Sequence, residues 1–339
     1  FTVLPHFVLR YRSMRPDMAR NALLATQGGL SLERCAVIGH LSPMALYRLM
    51  CALGHHSVVT VLTRGGLALP PYFLVDEQHS RCLTDKVYLP TIVWGRVLWP
   101  LGYTEEASAA ALTQSYGVFE RAASQQDPSS RVRGILTDGF ESTTKGMRTL
   151  FSRARLGNCL RHALTKLPGK LTGIASPVRK ALRSQFHTLW YRARQRKGLR
   201  VFALGQRLRH FADHVAHSAG VANGERVRRW FQDKRTGWYA VLEDPQMPVT
   251  STLLDQAHNA FERKLFAMKG FHHPGGSQQA FLIGLAHLYN LVPYQRRAKH
   301  GSQCGVEVEG GTFPTRDWCL NLQILTSGGF QRAPDTLHH

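Results

Sequence analysis

Between Pro70 and Tyr103 three β-rich runs follow one another with almost nothing between them, and no other stretch constrains the fold as much. They are Tyr72-Phe-Leu-Val-Asp-Glu77, Val87-Tyr-Leu-Pro-Thr-Ile-Val-Trp94 and Arg96-Val-Leu-Trp-Pro-Leu-Gly-Tyr103. Breaks as short as those around Asp85-Lys86 and Gly95 leave no room for a crossover, so the runs predict an antiparallel three-strand meander. Thr104-Glu-Glu-Ala then opens a capped helix to about Ala123. Val132-Arg-Gly-Ile-Leu-Thr137 reads as a short strand finishing at Asp138-Gly139, residues 142–151 as a helix, and residues 155–158 as a further strand.

Three strands, helix, strand, helix, strand is the order of an RNase H-like fold. The predicted class is α/β, with a mixed sheet made of the meander plus parallel strands. Residues 1–66 form an N-terminal helical region and 67–163 the first part of the core. Residues 164–246 read as a basic helical insertion, because a structureless loop that long is improbable inside a domain. Residues 247–292 return to the core as helices, and 293–339 form a basic, then Gly-rich tail.

In the N-terminal region Arg10, Arg12, Arg15 and Arg20 precede two short amphipathic runs, residues 31–38 and 42–53. Ser42 as N-cap, Pro43 at the first helical position and Gly54 at the end punctuate the second. The pair resembles a helix-turn-helix, with a plain helical hairpin as the equal alternative. The chain begins with Phe1 in mid-pattern, which suggests a missing upstream piece.

The formal charge is +21, and residues 145–235 hold 22 basic and 3 acidic side chains. A solvated helical surface usually interleaves acids with its bases. Their near absence here points to a polyanionic partner, nucleic acid first. Arg192, Arg194, Arg196, Lys197, Arg228, Arg229 and Arg263 are candidate phosphate contacts. Trp190, Trp230 and Trp238 either stack on bases or pack the insertion. Six scattered cysteines suit a reducing cytosol, and no apolar run is long enough to span a membrane, so a cytoplasmic, nucleoid-associated bacterial protein is expected.

Cutting and joining phosphodiesters needs an activated water or 3′ hydroxyl and a neutralised leaving oxygen, work that two divalent ions held by carboxylates can do. Asp76 follows the apolar run 72–75, and Asp138 ends the next strand beside Gly139. Two carboxylates brought close together repel unless a cation lies between them, so a pair predicts metal. Asp255 and Glu262, seven residues apart and so on nearly one helical face, are the two candidates for a third acid.

Four pieces resemble the bacterial insertion-sequence transposases related to the Mutator-like group: Phe-Leu-Val-Asp76-Glu, Gly-Ile-Leu-Thr-Asp138-Gly, Asn158-Cys159-Leu-Arg-His162, and Thr250-Ser-Thr-Leu-Leu-Asp255-Gln-Ala-His-Asn259. The resemblance covers roughly residues 70–290. It implies a DDE/D transposase with an RNase H-like core, Asp76, Asp138 and Asp255 as catalytic metal ligands, and two Mg²⁺ or Mn²⁺ ions. The partners implied are double-stranded DNA with terminal inverted repeats and a target DNA, with a homodimer holding two ends. Asp255 stands where the family carries Glu, and Thr252 where it carries Asn, which keeps Glu262 as the fallback ligand. Cys159 and His162 match the family's Cys-x-x-His and read as a structural or positioning pair; with His79 and Cys82 they also make a possible zinc set. A DNA-binding regulator, an inactive relic and a non-transposing RNase H-like nuclease are the competing functions.

Overall fold

The computed structural model describes residues 14–194, 201–272 and 277–326. Four short helices, α1 (Pro16–Gln27), α2 (Leu32–Ile38), α3 (Pro43–Leu53) and α4 (Val58–Arg64), precede the strands β1 (Tyr72–Cys82), β2 (Asp85–Trp94) and β3 (Val97–Leu101). Helix α5 (Ala109–Gln126), β4 (Gly134–Thr137), α6 (Glu141–Leu150) and β5 (Arg155–Asn158) follow. A helical stretch comes next: α7 (Leu160–Lys170), α8 (Ser176–Arg194), α9 (Val201–Ala219) and α10 (Val221–Glu243). The chain continues through α11 (Thr252–Ala267), α12 (Gln278–Leu291), α13 (Gly305–Val308) and α14 (Trp318–Thr326).

The five strands form one mixed sheet in the order β3-β2-β1-β4-β5. The two-residue turn Leu83-Thr84 sends β2 back along β1, and β3 pairs antiparallel with β2. β4 runs parallel to both β1 and β5, with Leu74 beside Leu136 and Thr137 beside Asn158. The protein is thus α/β, with a meander extended by parallel strands.

β1 outruns the expected strand. Its polar second half is held by distant partners: the Leu83 amide donates to the Phe271 carbonyl at 2.7 Å and the Phe271 amide to the Arg81 carbonyl at 2.8 Å. The helix expected from Thr104 starts later, because the Thr104 backbone exchanges hydrogen bonds with Tyr88 and Ser108 caps α5 instead, accepting from the Ala111 amide at 3.2 Å.

Two compact units are present. The first takes the chain up to Pro70, then Asp76–Ser130 and the residues from Leu253 on; the second takes Pro71–Val75 and Arg131–Thr252. The basic helices fall in the second unit together with β4 and β5. Val241 of α10 and Met247 lie against Gly157 of β5, where a Cβ would come within 2.6 Å of both side chains.

In the first unit α12 is buried on nearly every face, with Phe281, Leu282, Leu285 and Leu288 fully enclosed. Gly54 and Gly284 let α12 approach closely; a Cβ at Gly54 would sit 1.8 Å from the Ala280 carbonyl oxygen. The buried Asn290 side chain serves as a strand partner for β3, accepting from the Leu98 amide at 2.8 Å and donating to its carbonyl at 2.6 Å. Helices α2 and α3 meet at 100°, and both expected caps are present: Ser31 accepts from Arg34 and Ser42 from Ala45. The exposed positions beside that turn are largely apolar, Val37, Ile38 and Met44.

The second unit is built around an aromatic cluster. Phe186 stacks on Trp190 at 5.1 Å and on Phe231 at 5.8 Å, and Trp238 meets Trp190 edge-on at 4.8 Å. The Trp190 indole donates to the Leu160 carbonyl, satisfying its polar atom inside the core. All six cysteines are free thiols. Among the described residues no single helix is long and apolar enough to cross a membrane.

Candidate active site

On β1, burial of Tyr72 through Val75 gives way to the half-buried Asp76. Alternation along a strand sends Asp76 and Gln78 to one face and Glu77 to the other. On the Glu77 side, the Tyr116 hydroxyl of α5 donates to Glu77 Oε1 at 2.6 Å, and it lies 3.1 Å from the Asp76 carbonyl oxygen. Burial and the Glu77 charge push the Tyr116 phenol well above its usual range. The Glu77 amide donates to Asp76 Oδ1 at 2.9 Å, which fixes that carboxylate's orientation.

The Asp76 face is turned to α11, since Gln78 Nε2 donates to the His258 carbonyl at 3.1 Å. Asp255 lies one turn before His258 and is half-buried, whereas Glu262 is exposed. The buried atoms Gln78 Oε1 and His258 Nε2 have no partner. Burial, with His79 adding to it, lowers the His258 pKa to about 4, so its imidazole is neutral at pH 7.

In the second unit Asp138 follows the last residue of β4, and Gly139 beside it has φ +85°, a conformation that favours glycine. Asp138 Oδ1 accepts from the Phe140 amide at 2.6 Å, and Oδ2 is paired with Lys166 Nζ at 2.7 Å. The same ammonium donates to the Asp138 carbonyl at 2.9 Å. Burial alone would raise the Asp138 pKa; Lys166, the Phe140 amide and His162 outweigh it and hold the carboxyl below its usual range. Lys234 of α10 donates to the Gly139 carbonyl at 2.7 Å, and Asn158 Nδ2 donates to the Lys234 carbonyl at 3.1 Å. Two lysines therefore clasp the end of β4.

Cys159 and His162 converge on Ser251. The Ser251 amide donates to Cys159 Sγ at 3.3 Å, its hydroxyl lies 3.4 Å from Sγ, and the same hydroxyl lies 3.4 Å from His162 Nδ1. The Cys159 thiol is 1% exposed, and burial would raise its pKa; hydrogen bonds from His162 and Ser251 turn the shift downward. With the Leu160 amide donating to Val249 at 3.1 Å, the pair latches the segment that enters α11. His79 packs edge-on against Tyr88 at 5.1 Å, and among the described residues no three His, Cys, Asp or Glu side chains form a group that would hold a metal, zinc included.

Taken singly, Asp76, Asp138 and Asp255 have the donor chemistry a hard divalent ion requires: all are carboxylates, and Asp138 is held ionised. The partnerless Gln78 and His258 atoms add unused polar capacity beside the Asp76 face.

Of the expected DNA contacts, Arg192, Arg229 and Arg263 are exposed. Arg228 is paired with Asp213 at 2.6 Å and with Glu225, so part of its charge is spent. Trp230 is 6% exposed and packed against Phe231 and Trp238, which removes its ring from any base; Trp190 and Trp238 are buried with it. Arg194 ends α8 with its side chain outside the described residues, as are Arg196, Lys197, Arg10 and Arg12.

Sequence reasoning passed over Lys166, Lys234, Glu77, Gln78 and His258. A signal existed for Lys166, which follows His162 by four residues on α7 and so shares its face. Compared with known protein families and with characterised proteins, the chain matches no family model and no curated protein.

Proposed function

We propose that the chain is a DDE/D-type DNA transposase with an RNase H-like core, cutting and joining phosphodiester bonds at the ends of an insertion sequence. One observation carries the reading: β1 and β4 pair in parallel, with Leu74 beside Leu136, and the apolar run of β1 leads into Asp76 while the chain leaves β4 directly into Asp138. A meander extended by parallel strands, with acids placed in this way, supports the RNase H-like assignment.

On this reading Asp76, Asp138 and Asp255, each a carboxylate suited to a hard ion though not grouped around one point in this structure, would hold Mg²⁺ or Mn²⁺, which when bound supplies activation of a water or 3′ hydroxyl and neutralisation of the leaving oxygen. The chain's own residues prepare that chemistry. Lys166 keeps Asp138 ionised, Lys234 fixes the Gly139 turn, and the Cys159–His162–Ser251 latch sets the start of the helix bearing Asp255. Exposed arginines such as Arg192 and Arg229 would bind double-stranded DNA, both terminal repeats and target, through phosphates, with a homodimer holding two ends.

The test is incubation of the protein with DNA flanking its own gene and Mg²⁺ or Mn²⁺, beside the Asp138→Ala variant. Metal-dependent nicking and joining by the parent chain alone supports the reading. Absence of both reactions in the parent chain counts against it.

A further inference from the structure

A cavity of about 400 Å³ lies between α9 and α10 in the second unit, and neither Asp138 nor Lys234 lines it. Its wall includes Phe202, Gly205, Arg209, Arg228, Arg235 and Tyr239. Among the described residues no acidic side chain lines it, and Arg209 and Arg235 have no ion pair. Phe202 is 72% exposed, an unusual position for a large aromatic ring on a strongly charged helix surface.

Gly205 sits inside α9, where glycine weakens a helix. A Cβ there would lie 2.5 Å from the Tyr239 hydroxyl oxygen, so the missing side chain is what lets that ring lie across α9 and keeps the cavity open. Free guanidinium groups and aromatic faces around one concavity match a ligand that is both anionic and flat.

We propose that this cavity binds a nucleoside phosphate, its base between Phe202 and Tyr239 and its phosphate on Arg209 and Arg235. The ligand is either one nucleotide of a single strand or a free nucleotide. The site uses none of the residues assigned to phosphodiester chemistry and does not depend on that assignment.

The test measures binding with a chelator present, so that no cleavage contributes. A short fluorescent single-stranded oligodeoxynucleotide is compared with the fully abasic oligomer of equal length and charge, with dAMP as competitor. Stacking predicts that the base-bearing strand binds on the order of ten-fold more tightly than the abasic one. Gly205→Leu, which fills the cavity, removes that preference. Phe202→Ala reduces it, and because this ring is mostly exposed the variant serves if Gly205→Leu fails to fold. Competition by dAMP identifies a free nucleotide as sufficient ligand, and lack of competition identifies a strand. Equal affinity for the two oligomers overturns the proposal, as does a preference that survives in the folded variants.

Discussion

The Lys166 ammonium lies 2.7 Å from the Asp138 carboxylate and 2.9 Å from the carbonyl of the same residue, so one cation binds the end of β4 at two points. The carboxylate's folded pKa is depressed, so its contribution to stability is full above the unfolded value and is lost as pH falls through the folded one. The pair is partly solvated, which limits its worth to about 1 kcal/mol. Lys166→Met is expected to cost that amount at pH 7 in thermal unfolding. The difference from the parent chain should close below the ordinary carboxylate pKa.

Lys264 obeys the opposite arithmetic. It is buried, donates to Gln27 Oε1 at 2.6 Å, and burial followed by Arg263 lowers its pKa from 10.5 to about 7. Between these two values the unfolded chain holds the proton that the folded one has released, so this residue makes stability rise with pH across that window. Lys264→Met is expected to stabilise the protein on the order of a few kcal/mol at neutral pH and to flatten the rise. Denaturant melts from neutral to alkaline pH read both effects.

Ser251 is the hub of the Cys159–His162 latch. Ser251→Ala removes its hydroxyl contacts and leaves the amide bond to Sγ, so a loss of about 1 kcal/mol is expected. Cys159→Ala removes the thiol as well as packing and should cost more. A thermal melt in which both variants match the parent chain would show that the latch carries no load.

DNA affinity should separate the exposed arginines from the buried tryptophan. Arg192→Ala and Arg229→Ala are each expected to weaken duplex binding whatever the sequence and to lower the salt slope by about one. Trp230→Phe should change neither, because its ring faces Phe231 and Trp238. Salt-titrated anisotropy measures all three.

What could be read from the sequence followed local rules. The meander, the Ser42 and Gly54 punctuation of α3 and the strand ending before Asp138 all depend on neighbouring residues, and all are present. What could not be read depended on partners far along the chain. Gln78 to Cys82 lacks strand composition, and it is held extended between the hairpin partner β2 and the distant residues His258 and Phe271. Thr104 resembles a helix cap until Tyr88 takes its backbone. Lys166 was one lysine among many in a basic stretch, and only the course of α7 past β4 singles it out. Likewise, the grouping of the basic helices with β4 and β5 rests on α10 packing against Gly157, and a bare glycine in the sequence advertises no such contact.

The central claim rests on three aspartates, Asp76, Asp138 and the half-buried Asp255, with the exposed Glu262 as the fallback for the third. The most direct measurement is Mn²⁺-dependent nicking of the element's end DNA by the parent chain and by Asp76→Asn, Asp138→Asn, Asp255→Asn and Glu262→Gln. The account predicts loss of at least about a thousand-fold in each aspartate variant, the scale on which removing groups that act together abolishes catalysis, with Glu262→Gln close to the parent. Nicking that persists in Asp138→Asn, or that is lost in Glu262→Gln and kept in Asp255→Asn, would contradict it.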